Sequence, residues 1–277
     1  MIRLGGQVFE RVEDPRELAR LHRRLGYTAA YAPQVDLRDV SGIAAVRNAF
    51  AAEDVVLAEV GAWCNMLAVE PERRKANQER VCNSLALADE LGARCCVDYL
   101  GTLAPGSDYG PHPANLTPAT FDLAVQTVRA VIDAVKPRRA SFCLEMMQWV
   151  LPDSVAAYLD LLRAVDRPAF GVHMDPVNLV TSPRVYFDTG SLIRDCFRRL
   201  GQWIASCHAK DIVLRDALAM HFDEVRPGLG NLDYSAYVSE LARLPNSPPL
   251  MLEHLSTAEE YALAQQFMRS VEQGLRQ

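Results

Sequence analysis

Residues 141–149 read Ser-Phe-Cys-Leu-Glu-Met-Met-Gln-Trp, an apolar run that closes on one carboxylate, Glu145, and one indole, Trp149. The design recurs three times downstream, in residues 170–175 (FGVHMD), 204–211 (IASCHAKD) and 249–254 (PLMLEH). Each is a hydrophobic segment of strand length whose last residues include Glu, Asp or His. Strands that deliver oxygen and nitrogen ligands from their C-terminal ends describe a site at that face of a closed β/α barrel.

Upstream, residues 2–9, 28–35, 55–63 and 93–99 read as four more strands. Helices are expected between them. Asp14-Pro15 supplies an N-cap and a first-turn proline for a helix reaching about Gly26. Residues 39–53 form the next helix, and residues 70–91 a long amphipathic one that Gly92 closes. Thr117-Pro118 opens a helix to Val135, and Pro152-Asp153-Ser154 opens one ending near Asp166. Further helices end at Leu200, precede the eighth strand, and cover residues 257–273. Regular β-α alternation implies parallel strands, and eight of them imply closure into a single (β/α)8 barrel, one domain over residues 1–277. An open doubly wound sheet is the competing architecture, and it would place Glu253 far from Glu145. Two long irregular segments interrupt the alternation, residues 100–117 and 215–233. Loops of such length in a compact domain tend to be functional, and the first is expected to act as a lid.

Composition narrows the class of partner. With 35 acidic and 29 basic residues the net charge is −6, which disfavours nucleic acid and anionic membrane, both of which attract clustered Lys and Arg. Seven cysteines, without a CxxC pair, read as small buried hydrophobes in a reducing compartment. No leader pattern and no membrane-length apolar run is found, so a cytoplasmic location is expected. Only three lysines are present, which makes Lys210 conspicuous.

Barrel closure would converge Glu145, Asp175, His208 and Glu253 on one point. Three carboxylates so close would repel and take up protons unless a cation neutralised them. Oxygen-rich ligation with one imidazole suits Mn²⁺, Mg²⁺ or Co²⁺ better than a closed structural zinc site. The competing reading of each acid is an ordinary ion pair at the barrel mouth.

This Glu, Asp, His, Glu order on the last four strands, with Asp175-Pro176-Val177-Asn178, His208-Ala209-Lys210-Asp211 and the loop from Pro227 to Tyr234, resembles the xylose isomerase-like TIM barrels. The likeness spans nearly the whole chain. It implies a divalent-metal-dependent isomerase or epimerase of a sugar, sugar acid or sugar phosphate. In the epimerase branch the four ligands hold Mn²⁺ or a similar ion, with Mg²⁺, Co²⁺ or Zn²⁺ as alternatives. Glu145 and Glu253 would then exchange a proton beside a carbonyl, the metal binding the oxygens of a cis-enediolate. A dehydratase or lyase of keto-sugars is the alternative, because it needs the same metal and base. An endonuclease IV-like nuclease and a non-catalytic sugar-binding barrel are weaker readings. A homodimer is implied by the resemblance alone. The chain departs from the ketose epimerases at Leu151, Asn178 and Leu214, where those enzymes carry Glu, His and Arg.

The substrate-binding candidates are His112 in the proline-flanked part of the first long loop, Trp149, His173, Asn178, Lys210 and Arg226. His173 shares a strand face with Asp175, and Lys210 with His208. Arg226 would clamp an anion or bind Glu224. Trp63 and Trp149 would wall a sugar ring or simply pack at the rim. Glu59 is expected to pair with a neighbouring charge, and Tyr31 and Asn65 are weaker lining candidates. Gly228 and Gly230 lack the strand-to-helix context of a nucleotide cradle.

Overall fold

In the computed structural model, which describes residues 1–276, the expected helices start where their caps lie. Asp14 accepts from the first-turn amides of α1 (Pro15–Arg24), and Asp39 and Thr117 do the same for α2 (Val40–Ala52) and α4 (Pro118–Val135). α3 (Pro71–Leu91) ends on Gly92 in the left-handed conformation. The remaining helices are α5 (Val155–Val165), α6 (Pro183–Tyr186), α7 (Thr189–Leu200), α8 (Tyr234–Arg243) and α9 (Ala258–Gly274). No helix among the described residues is long and apolar enough to cross a membrane.

Eight parallel strands close into a barrel: β1 (Leu4–Gly5), β2 (Ala29–Tyr31), β3 (Val56–Gly61), β4 (Cys95–Asp98), β5 (Ser141–Glu145), β6 (Phe170–Met174), β7 (Ile204–Ala209) and β10 (Leu250–Leu252). β10 pairs with β7 and β1, so the eighth barrel strand joins the seventh to the first. Each lies inside its expected segment and is shorter than it, because only the residues within the wall can pair. Outward-facing side chains such as Phe142, Leu144, Val172 and Cys207 join the helices in one large core. Small residues, among them Cys95, Val97 and Cys143, pack part of the barrel interior.

One feature differs from expectation. β8 (Asp211–Leu214) and β9 (Phe222–Val225) form an antiparallel hairpin outside the barrel, in the segment read as the end of strand seven and an irregular loop. Lys210 separates it from β7.

The helices also fix the strand ends. The Tyr158 hydroxyl of α5 bonds the Leu144 carbonyl at 2.7 Å, and Tyr237 and Tyr234 of α8 donate to the carbonyls of His208 and Lys210, both at 2.8 Å. These buried phenols hold β5 and β7 where they present their functional side chains.

Candidate metal centre and substrate cavity

Glu145 ends β5, Asp175 follows β6, His208 is the penultimate residue of β7, and Glu253 follows β10. All four are buried, and one ligand atom from each lies within 4.8 Å of the others. His208 Nδ1 stands between the two glutamates, 3.1 Å from Glu145 Oε1 and 2.8 Å from Glu253 Oε2, and 4.0 Å from Asp175 Oδ2.

Beneath this cluster lies a second polar layer. Glu59, reaching from β3 across the barrel, receives His208 Nε2 at 2.9 Å on one oxygen. Its other oxygen meets His173 Nε2 and the Ser206 hydroxyl, both at 2.9 Å. Burial disfavours a charged His208 ring, but the carboxylates around it outweigh that and raise its pKa; with Glu59 holding the Nε2 proton, Nδ1 is the nitrogen that would give up its proton to ligate a metal. Burial works against the Glu59 charge, but the two imidazoles outweigh it and hold the carboxyl far below its usual range.

Lys210 Nζ lies 2.8 Å from Asp175 Oδ2, 2.7 Å from Glu253 Oε1 and 3.4 Å from Glu224 Oε1 on the hairpin. Both short contacts are ion pairs by distance, yet neither oxygen has a hydrogen-bond partner of acceptable geometry. The distances establish attraction, and the angles leave a lone pair open on each oxygen. Burial disfavours the Lys210 charge, but the surrounding carboxylates outweigh it and raise its pKa. For Asp175, burial together with Glu253 and Glu145 wins over Lys210, and its carboxyl is pushed up to about 7. Two open carboxylate oxygens, an imidazole nitrogen and a third carboxylate form a donor set that could hold a divalent cation.

Above the cluster opens a cavity of about 610 Å³, lined by Glu145, Glu253, His208, Lys210 and Asn178, by the hairpin's Glu224 with His254, and by a row of aromatic side chains. Trp149 and Asn178, two of the substrate candidates, are on its wall, and Asn178 Nδ2 donates to the Met146 carbonyl at 2.9 Å. His173 points inward as its strand position predicts, but it is fully buried beneath His208, edge-on at a centroid distance of 4.1 Å. His112 and Arg226 are not on the wall. His112 Nδ1 accepts the Ala114 amide at 3.3 Å within its own loop. Glu224, considered a partner for Arg226, instead bonds His254 at 2.7 Å and approaches Lys210.

Sequence reasoning left Glu59 with an unspecified partner and did not single out Tyr99, Tyr109 or His254. Tyr31 does line the cavity, its hydroxyl donating to the Leu252 carbonyl at 3.0 Å. Asn65 acts behind the wall. Its Nδ2 donates to the carbonyls of Thr102 and Ser107 at 2.7 and 3.0 Å, while Oδ1 accepts the amides of Leu67 and Thr102. Asn115 donates to Gly110 O at 2.9 Å and Trp149 O at 3.0 Å. The long loop after β4 is therefore tied to the barrel mouth by two buried amides.

A family model described as xylose isomerase-like TIM barrel matches residues 8–271. The chain belongs to that family. Solved structures with the same fold include the probable 3-DHS dehydratase AsbF of Bacillus anthracis, at TM-score 0.72 and 15% identity over 98% of this chain and 99% of that one. The 3-keto-D-glucoside 4-epimerase YcjR of E. coli superposes at TM-score 0.66 and 14% identity, covering 100% and 99%. A family member from Mycobacterium smegmatis, solved in complex with magnesium, gives TM-score 0.65 and 18% identity over 94% and 87%. No curated protein sequence matches the chain. At these identities the superpositions establish the fold of this family member, whose site must be read from its own residues.

Proposed function

We propose that the protein is a divalent-metal-dependent isomerase or epimerase of a sugar, with Glu145, Asp175, His208 and Glu253 as ligands and Glu145 and Glu253 as the proton-transferring pair. The observation that carries this reading is the position of the two glutamates. They come from barrel strands separated by β6 and β7, stand on either side of His208, and both open onto the cavity. One carboxylate can take a proton from a carbon beside a carbonyl while the other returns one. A bound cation would supply Lewis-acid stabilisation of the oxygen that gains charge. Mn²⁺ is the ion we assign, from the oxygen-rich donor set with its single imidazole. Glu59 holds the His208 ring in the tautomer a ligand needs, and Asn178 and Lys210 border the place where hydroxyls would lie.

A second reading is elimination, and one observation favours it. His254 lies on the cavity wall next to Glu253 and is hydrogen-bonded to Glu224, so an imidazole stands ready to protonate a departing hydroxyl. The magnesium-bound relative and the epimerase and dehydratase relatives support both readings equally.

The test begins with metal content by elemental analysis of the wild type and of Glu145→Gln and His208→Ala. One ion per chain, lost in both variants, is the expected result. Absence of metal, and of affinity for added Mn²⁺, Mg²⁺, Co²⁺ or Zn²⁺, would sink the proposal. Incubation with sugars and keto-sugars in D₂O then separates the readings: deuterium in a product of unchanged mass apart from the label indicates isomerisation, and loss of water indicates elimination.

A further inference from the structure

We infer that the cavity takes an uncharged saccharide of at least two rings, one over the carboxylate cluster and the next on an aromatic strip running from Trp63 to Trp149. This rests on the sugar-acting reading above and deepens it by naming the substrate class.

Apart from a bound cation, the wall offers a phosphate ester no side-chain partner. Every cation on it already faces a carboxylate: His208 meets Glu145 and Glu253, Lys210 meets Asp175 and Glu253, and His254 meets Glu224. No arginine lines the cavity among the described residues. Away from the metal ligands a phosphate would meet acids and no unpaired Arg or Lys, the side chains on which phosphate recognition relies.

The opposite wall is made of rings. Trp63 lies 6.3 Å from His208, and from it the centroids step to Tyr99 (6.0 Å), Tyr109 (5.6 Å) and Trp149 (6.4 Å). The last pair is nearly parallel, at 11°. The strip thus begins beside the reactive cluster and continues for three further rings, more apolar face than one hexose can cover. Electron-rich aromatic faces suit the C–H face of a sugar, and a cavity of about 610 Å³ leaves room for a second ring.

Three features distinguish the strip from incidental rim packing. Trp63 has φ +45°, an uncommon conformation for a bulky side chain, of the kind found at binding sites. Gly61 makes room for it, since a Cβ there would collide with the indole nitrogen. Asn115 ties the carbonyls of Gly110 and Trp149 together, fixing the two sides of the Tyr109–Trp149 stack. Even so, Tyr109 is 52% and Trp63 37% exposed, and Trp149 Nε1 has no acceptor in the protein. Trp63 and Tyr109 are thus held in place and left open, with the buried Tyr99 between them and the half-buried Trp149 behind Tyr109.

The experiment is calorimetric titration of the Mn²⁺-treated protein with cellobiose, maltose, sucrose and trehalose, against glucose and glucose 6-phosphate. At least one disaccharide should bind about tenfold more tightly than glucose, the scale of one aromatic contact, and glucose 6-phosphate should bind no better than glucose. In Tyr109→Ala and in Trp149→Phe that ratio should fall toward one. Binding of the phosphate in preference to every disaccharide, binding of none of the four, or a ratio unmoved by both substitutions would overturn the inference. Because the readout is binding, a protein that shows this preference but exchanges no proton would refute the proposed reaction and leave the substrate class standing. Proton exchange on a monosaccharide without the preference would do the reverse.

Discussion

The two sides of the barrel mouth are built on opposite principles. From β5 round to β10 the strand ends carry charge, and nearly every charged atom there has a partner from the same side: His208 between two glutamates, Lys210 between Asp175 and Glu253. From β2 to the loop after β4 the mouth carries rings, Tyr31, Trp63, Tyr99 and Tyr109, two of which remain well exposed. Buried charges must neutralise one another, so the first side is closed and self-referential. Aromatic faces bear no such obligation and can be left open for a ligand. Glu59 crosses the divide, rising from the aromatic side to hold the imidazoles of the charged one.

The largest effect is expected from the charged side. Replacing Glu253 or Glu145 by Gln should cut proton exchange in D₂O by about 10²–10⁴-fold, the usual worth of a general acid or base. Unchanged exchange would make the cluster mere ion pairing. Next comes Glu59. Glu59→Ala leaves two buried imidazoles without their carboxylate and should cost about 3–5 kcal/mol in urea unfolding. Glu59→Gln keeps the shape and should weaken Mn²⁺ binding about 10–100-fold in equilibrium dialysis. Equal affinity in that variant would show that the two halves are not coupled.

On the aromatic side, Asn115→Ala removes buried bonds to Gly110 and Trp149 and should lower stability by about 1–3 kcal/mol, with faster amide exchange in residues 100–117. Metal content should not change. The smallest effect is expected far from the mouth. Asp89 accepts the amides of Arg138, Arg139 and Ala140 at 2.8, 2.5 and 2.9 Å, just before β5 begins. Burial opposes its charge, but those three amides outweigh it and lower its pKa. Its stabilisation is therefore complete above the unfolded value of about 3.9 and is lost as pH falls through the lower folded value. Asp89→Ala should cost about 1 kcal/mol at neutral pH, discounted for exposure, with less difference from wild type in acid.

The positions of the eight barrel strands were legible because each is a short apolar run between capped helices, and the four clustered residues because they close their runs. The hairpin was not legible. Its strands are four residues each, and the connection between them lacks the Asn-Gly or Asp-Gly pair that marks a tight turn. Glu59 could be read as a buried acid needing a partner, but only closure of the barrel brings β3 opposite β6 and β7. Trp63 and Trp149 announced an aromatic wall, whereas Tyr109 sits in a loop whose course depends on Asn65 and Asn115, residues with no periodicity to betray them.

Asp211 carries a consequence of a different kind. Its two oxygens accept the amides of Ile212, Gly228, Gly230 and Leu232, and a Cβ at Gly230 would collide with its carboxylate. The paired glycines thus cradle an anion, and the anion is the chain's own. This knot fastens the entry of the hairpin to the segment that leaves it, independently of what lies between them. The segment from 215 to 221, none of which lines the cavity, is in effect an interchangeable cassette that can be rewritten while the chemistry beside Glu224 stays untouched.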